Sequence, residues 1–158
     1  MKKVSLILLS VISLAVLSSC NKEDKLNKCV SQEESIEKYI QSKYADATVV
    51  ITDTGISRII TVNGSGAQAQ PGDSVAFEYK GYTFSNGPSN QFVEGFYRSK
   101  LGDKSLISGL DEGIAGMNKG EEAWIIFSAR YGFFDEAVGA ISPLTPLMYY
   151  VKLDEIYR

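Results

Sequence analysis

The clearest strand pattern in the sequence is PGDSVAFEYKG, residues 71–81. Val75, Phe77 and Tyr79 alternate there with small or charged residues, so the three bulky side chains share one face of a strand. The Pro-Gly-Asp start is typical of a turn that leads into a strand. This segment therefore predicts a strand with one face in the core.

Three further segments carry strand signals. Residues 147–153 alternate in the same way, and residues 123–128 form a nearly continuous apolar run. Two β-branched runs within residues 48–62 are separated by Asp-Thr-Gly at 53–55, which predicts a hairpin. The residues that share one face of the last strand are Leu147, Tyr149, Val151 and Leu153.

One short helix is predicted between these strands. Residues 108–111, Ser-Gly-Leu-Asp, open it, and residues 118–120, Asn-Lys-Gly, close it. Leu110, Ile114 and Met117 fall on one side of this helix. Several strands with one such helix indicate an α+β fold in which the helix packs on one face of an antiparallel sheet.

The N-terminus has the pattern of a secretory signal over residues 1–19. Two lysines precede an apolar run, and residues 17–20 read Leu-Ser-Ser-Cys. This end resembles the bacterial lipobox, which implies that Cys20 carries the lipid and becomes the first mature residue. A retained membrane anchor is the alternative, but the apolar run is shorter than the roughly 20 residues that span a bilayer.

The segment between the lipid site and the domain divides into two parts. Residues 20–30 are dense in charge and predict a solvated tether. Residues 31–34, Ser-Gln-Glu-Glu, match a capping box, and the apolar spacing after them predicts an amphipathic helix from Ser31 to about Ala45. We assign residues 31–54 to this N-terminal helix and extension, which either packs on the domain or mediates self-association.

Composition excludes several classes of function. The formal net charge is −3, and it becomes −5 when residues 1–19, with two lysines and no acid, are removed. An acidic chain without a basic cluster is not expected to bind nucleic acid. The chain has no histidine, which excludes His-dependent nucleophilic catalysis and argues against a zinc site. No metal or other cofactor is expected, and Cys29 is either an unpaired thiol or an intermolecular partner.

Residues 55–153 resemble the FKBP (macrolide-binding immunophilin) family of peptidyl-prolyl isomerases almost end to end. Residues 71–81 are similar to the family's Gly-Asp-x-Val-x-x-x-Tyr-x-Gly strand. The other matching segments are 101–102, 106–113, 117–121, 131–132, 139, 141–143 and 147–153. The resemblance implies that residues 55–158 form an antiparallel half-barrel sheet wrapped around one short helix, with an aromatic pocket between them.

The resemblance also implies which residues form that pocket. They are Tyr79, Phe92, Tyr97, Leu106, Ile107, Leu110, Tyr131, Ile141 and Tyr149. Leu110 would be the floor, and the Ile107 backbone N–H and the Tyr131 hydroxyl would donate hydrogen bonds to a substrate. For any one of these residues, plain core packing is the alternative role.

The chain departs from the family pattern at two pocket positions. Leu110 stands where the family usually has tryptophan, and Val93 stands where it usually has aspartate, next to an insertion at residues 86–91. We therefore expect macrolide ligands to bind weakly. Trp124 falls on a strand position that the family points away from the pocket, where it should pack on the sheet or on the N-terminal extension.

These observations predict a peptidyl-prolyl cis-trans isomerase that acts on Xaa-Pro bonds of exported proteins. Its partners would be proline-containing polypeptides and a membrane, reached through the lipid on Cys20. The expected location is the cell envelope of a Gram-negative bacterium, at the outer membrane. The alternative is a non-catalytic binding module or holdase chaperone with the same fold.

Overall fold

The computed structural model describes the backbone of residues 2–158 and the side chains of residues 21–158. The predicted signal segment, residues 1–19, and the lipid site, Cys20, lie outside the residues described in full. The elements are α1 (Lys2–Lys43), β1 (Thr48–Ile51), β2 (Ser57–Val62), β3 (Ser74–Phe84), β4 (Pro88–Lys100), α2 (Ser108–Ile114), β5 (Glu122–Phe127), a 3-10 turn (Ala129–Tyr131) and β6 (Leu147–Tyr157). Among the described residues, no helix is long and apolar enough to cross a membrane.

The strands form one open antiparallel sheet in the order β1-β2-β5-β6-β3-β4. β1 pairs with β2 as the predicted hairpin, with Thr48 opposite Ile60. β3 and β4 are long, and β4 forms one edge of the sheet. The α+β prediction is confirmed.

The inner face of the sheet carries the predicted alternating residues. Val75, Phe77, Leu147, Val151 and Leu153 are fully buried there. Tyr79 and Tyr149 share this face and pack against the same cluster. The alternation in β3 and β6 was therefore interpreted correctly.

The short helix α2 packs on this inner face. Gly109 and Gly113 face β5 so closely that a Cβ atom would lie 2.5 Å from ring atoms of Phe127 and 2.4 Å from Ile125. The helix ends at Ile114, earlier than predicted, and Met117 is buried in the turn that follows. Ile107 takes the N-cap position instead of Ser108, and the Ser108 hydroxyl donates to the carbonyl of Tyr131 at 3.3 Å.

The second half of α1 packs on the outer face of the sheet. Its residues Ile36, Tyr39 and Ile40 contact a cluster that includes Ile126 and Met148. Trp124 borders this cluster, with its ring 5.3 Å from that of Tyr150. The expectation that Trp124 packs away from the pocket is confirmed.

The structure corrects the predicted start of this helix. α1 runs without a break through residues 21–30, where a tether was predicted. Ser31 is not an N-cap: its hydroxyl donates to the carbonyl of Asn27, four residues earlier, at 3.2 Å. A serine inside a helix forms this bond routinely, so the capping-box pattern was misleading. Cys29, in this part of the helix, is fully buried.

Candidate active site

A cavity of about 660 Å³ opens between the inner face of the sheet, α2 and the loop before β6. Eight of the nine predicted site residues line it: Tyr79, Phe92, Tyr97, Leu106, Ile107, Leu110, Ile141 and Tyr149. Other lining residues are Phe77, Thr83, Asn90, Gln91, Val93, Ser105, Phe133, Val138, Gly139 and Ala140. No charged side chain is among the described residues that line the cavity, so its interior is a low-polarity environment.

Stacked aromatic rings build the wall of the cavity. The Tyr149 ring stacks on Phe127 with centroids 5.9 Å apart and planes at 13°. Phe92 meets Tyr149 edge-on at 5.7 Å. Leu110 forms the floor and is only 5% exposed, while Tyr97 at the rim is 42% exposed. The rings therefore form a fixed wall, and the rim is open to solvent.

A bulge in β4 brings two consecutive residues to the cavity. Gly81 pairs with Val93 and Tyr82 pairs with Gln91, so Phe92 is the extra residue. In a regular strand Phe92 and Val93 would point to opposite faces. The bulge explains why both line the cavity, beside the insertion that the sequence showed at residues 86–91.

Gly81 allows this close packing. A Cβ atom on Gly81 would lie 2.6 Å from the Tyr149 ring, 2.7 Å from the Val93 side chain and 2.9 Å from Phe92. No larger residue fits without moving the cavity wall. Sequence reasoning assigned Gly81 only to the strand motif and missed this role.

The N-terminus of α2 presents a free donor at the cavity. Ile107 is extended, with φ −61° and ψ 144°, and its carbonyl accepts from Leu110 and Asp111. Its own N–H has no acceptor among the described residues, as is usual for the first amides of a helix. A substrate carbonyl in the cavity could accept this hydrogen bond.

Comparison with known proteins shows the family of this chain. A sequence model of the FKBP-type peptidyl-prolyl cis-trans isomerase family matches residues 65–154, which include the floor, the wall and the free amide. This chain belongs to the FKBP-type peptidyl-prolyl cis-trans isomerases. The unpaired Ile107 N–H and the uncharged cavity both lie within the matched part of the chain.

Individual relatives support the family, and a solved structure supports the fold. FK506-binding protein 1 of Aspergillus oryzae is 30% identical over 65% of this chain and 98% of its own length. Peptidyl-prolyl cis-trans isomerase FKBP15-3 of Arabidopsis thaliana is 27% identical over 82% of this chain and 92% of its own length. The crystal structure of FkpA from Escherichia coli is similar in fold, with a TM-score of 0.63 and 21% identity over 90% of this chain and 67% of FkpA.

Tyr131 does not lie where the FKBP resemblance predicted. Its hydroxyl donates to the Thr54 carbonyl at 2.6 Å, in the turn between β1 and β2. The chain reverses at Gly132, which has φ −106° and ψ −118°, and Phe133 lines the cavity instead. The prediction of Tyr131 as a pocket residue is therefore wrong, because the backbone at Gly132 brings Phe133 to the cavity and leaves the Tyr131 hydroxyl bonded to Thr54.

Of the three tyrosines that line this FKBP cavity, Tyr149 is the most buried. It lines the cavity and has no hydrogen-bond partner among the described residues. Burial, and secondarily Tyr79, raise the pKa of the Tyr149 hydroxyl above its ordinary value. A tyrosine hydroxyl is protonated at neutral pH even at its ordinary pKa of about 10, so the Tyr149 hydroxyl can donate a hydrogen bond.

A buried arginine binds the C-terminal end of α2, opposite the end that presents the free Ile107 N–H. Arg58, on β2, donates to the carbonyls of Gly113 at 3.0 Å, Ala115 at 3.0 Å and Gly116 at 3.2 Å. Its Nε lies 3.2 Å from Glu121 Oε1, with both side chains almost fully buried. Burial lowers the pKa of Arg58, against the opposing effect of Glu121. No sequence pattern singled out Arg58, because one charge within an apolar strand has no periodic signal.

Proposed function

We propose that this FKBP-type isomerase acts on Xaa-Pro bonds of exported proteins in the cell envelope of a Gram-negative bacterium. The lipid on Cys20 holds it at the outer membrane. The observation that carries the catalytic part is the uncharged cavity with the unpaired Ile107 N–H at its edge. The location is supported by the signal pattern of residues 1–19 and the Leu-Ser-Ser-Cys end.

The reaction needs no proton transfer and no nucleophile. The cis and trans forms of an Xaa-Pro bond are nearly equal in free energy. The barrier between them is about 18 to 20 kcal/mol, because twisting the bond removes amide resonance. Catalysis follows when the twisted amide is bound better than either planar form, and each 1.4 kcal/mol or so of that preference gives about tenfold in rate. A chain without histidine can therefore perform it.

Each part of the cavity contributes to this preference. A planar amide has a larger dipole than a twisted one, so an uncharged aromatic wall disfavours the planar forms. Ile107 N–H donates to a carbonyl of the substrate and holds the peptide in place. Leu110 contacts the proline ring from below, while Tyr97, Leu106 and Tyr149 enclose it.

The catalytic proposal is tested with a proline-containing tetrapeptide and the full chain. We expect cis-to-trans relaxation to accelerate in proportion to chain concentration and FK506 to inhibit it. A chain that binds the peptide without accelerating relaxation would overturn the catalytic proposal.

The anchoring proposal is tested separately in a Gram-negative host. Since the lipid attaches through the Cys20 thiol, Cys20→Ala should abolish incorporation of labelled palmitate. Cys29→Ala is the matched control and should label like the unsubstituted chain. Undiminished labelling of Cys20→Ala would refute attachment at this residue.

A second candidate function is a binding module that holds unfolded chains with little catalysis. Two observations favour it: the cavity floor is Leu110 instead of an aromatic ring, and Val93 supplies no carboxylate. A holdase assay, which measures suppression of aggregation of an unfolded client, separates this function from isomerisation.

Leu110→Trp distinguishes the floor of a site from ordinary core. If Leu110 lies beneath the proline ring, tryptophan should tighten FK506 binding and speed isomerisation without lowering the melting temperature. If Leu110 is only core, overpacking should cost about 1 to 3 kcal/mol with no kinetic gain. Because Leu110 borders a cavity of about 660 Å³, we expect the first result.

A further inference from the structure

The segment that forms one rim of the cavity is not part of the sheet. Residues 128–146, here called the rim segment, contribute Phe133, Val138 and Ile141 to the lining. Most of the segment is irregular, with one isolated bridge between Val138 and Ile141. Its position over the cavity therefore depends on what holds its two ends.

One side chain of α1 bonds to both ends of the rim segment. The Ala129 N–H donates to Gln32 Oε1 at 2.9 Å, and Gln32 Nε2 donates to the Leu144 carbonyl at 2.8 Å. Leu144 in turn donates from its N–H to the Phe134 carbonyl. The amide of Gln32 thus acts as a bridge between two stretches of backbone that are fifteen residues apart.

Glu33, the next residue of α1, adds hydrogen bonds beside the contact between Gln32 and Ala129. Glu33 accepts a hydrogen bond from the fully buried Ser128 hydroxyl at 2.7 Å and one from Arg130 at 2.6 Å. A third contact, Lys25 with Asp135 at 2.8 Å, is on the surface and adds little by itself. The two Gln32 bonds and the bond from Ser128 to Glu33 are partly buried, and they hold α1 against the rim segment.

We propose that Gln32 is a positioning residue of the isomerase site, which holds the rim segment over the cavity and so sets the affinity for substrate. Gln32 lies outside residues 65–154, the part matched by the family model. The N-terminal helix of this chain is thereby an integral part of the site and not only a spacer. The inference rests on the isomerase activity proposed above.

The test compares two glutamines of the same helix in the full chain. Gln32→Met keeps the length of the side chain and removes both bonds to the rim segment. Gln41→Met is the matched control, because Gln41 is exposed and its side-chain amide donates, among the described residues, only to Glu37, at 3.1 Å. Both variants are assayed for isomerisation of a proline tetrapeptide, for FK506 affinity and for amide hydrogen exchange.

We expect Gln32→Met to raise KM about threefold to tenfold and to leave kcat within about twofold. Rim residues contact ground state and transition state alike, so losing their position removes uniform binding. FK506 affinity should fall by a similar factor, and exchange should accelerate for amides of residues 129–144 but not for β3 or β6. Gln41→Met should match the unsubstituted chain in all three measurements.

Two results would overturn the proposal. One is equal behaviour of the two variants, and the other is faster exchange across the whole sheet with kcat and KM changed together, which indicates a general loss of stability. If the unsubstituted chain does not isomerise the peptide, the catalytic proposal fails instead. FK506 affinity and exchange of the rim segment still report on Gln32 in that case.

Discussion

The two faces of the sheet bury similar side chains, but the outer face is filled and the inner face contains a cavity. On the outer face, the second half of α1 places Ile36, Tyr39 and Ile40 against Ile126 and Met148. On the inner face, the seven-residue helix α2 packs on part of the sheet, and a cavity of about 660 Å³ remains between α2, the sheet and the rim segment. Aromatic content alone therefore does not make a site.

Comparing the two faces shows which groups keep an apolar cavity from being filled. Packed interiors collapse around empty space unless their surroundings are held in place. On the inner face, Gly109 and Gly113 bring α2 directly onto β5, and Arg58 ties its C-terminal end. The rim segment is held from outside by Gln32. The outer face needs no such devices, because side chains fill it.

The largest effect should come from removing the arginine that holds the inner face. Arg58→Met leaves Glu121 buried without its charge partner and frees three carbonyls at the end of α2, so unfolding should become easier by about 3 to 5 kcal/mol. Urea denaturation measures the loss. The double variant Arg58→Met with Glu121→Met should recover part of it, and a single variant that loses under about 1 kcal/mol would refute this role of Arg58.

Neighbouring residues on β6 test the two faces directly. Met148 points to the outer cluster and Tyr149 to the cavity. Met148→Ala should cost about 2 to 5 kcal/mol of stability yet keep kcat/KM within twofold well below the melting temperature.

Tyr149→Phe should show the reverse of this pattern. Its hydroxyl has no partner in the described part of the chain, so stability should change little. Loss of one hydrogen bond to substrate, about 0.5 to 1.5 kcal/mol, should lower kcat/KM up to about tenfold. Equal kinetic effects of the two variants, measured by tetrapeptide isomerisation, would break the distinction between the faces.

A smaller effect is expected where the cavity wall is tightest. Gly81→Ala forces a methyl group between Tyr149 and Val93, which should cost about 1 to 3 kcal/mol and reduce FK506 affinity. Gly95→Ala, on β4, is the control, because its new methyl group would meet only the Tyr79 ring, at 3.7 Å or more. Calorimetric melting and FK506 titration check both variants, and tolerance of alanine at Gly81 would mean that the wall is adjustable.

The smallest effect should follow Tyr131→Phe. This change removes the bond to the Thr54 carbonyl and should cost about 0.5 to 1.5 kcal/mol of stability. Isomerisation should be unchanged, because the Tyr131 hydroxyl points to the β1–β2 turn and not to the cavity. A fall in kcat/KM at unaltered stability would return Tyr131 to the site and contradict its placement outside the cavity.

Local pattern was sufficient for most of the fold and much of the site. Alternation in residues 75–79 and 147–153 identified the inner faces of β3 and β6, because a strand has a period of two wherever it lies. The resemblance to the FKBP family then led to nine candidate site residues, and eight of these line the cavity. These signals are contained in a few consecutive residues and need no knowledge of distant contacts.

Distant contacts decided the rest. Whether Tyr131 or Phe133 enters the cavity depends on the turn at Gly132, and the pairing of β3 with β4 creates the bulge at Phe92. Arg58 acquires its role only when the C-terminal end of α2 comes within reach of its side chain, and Gln32 only when α1 lies against the rim segment. Sequence alone predicted the site's aromatic wall, but the groups that hold that wall open come from elements far apart in the chain, which only the folded structure brings together.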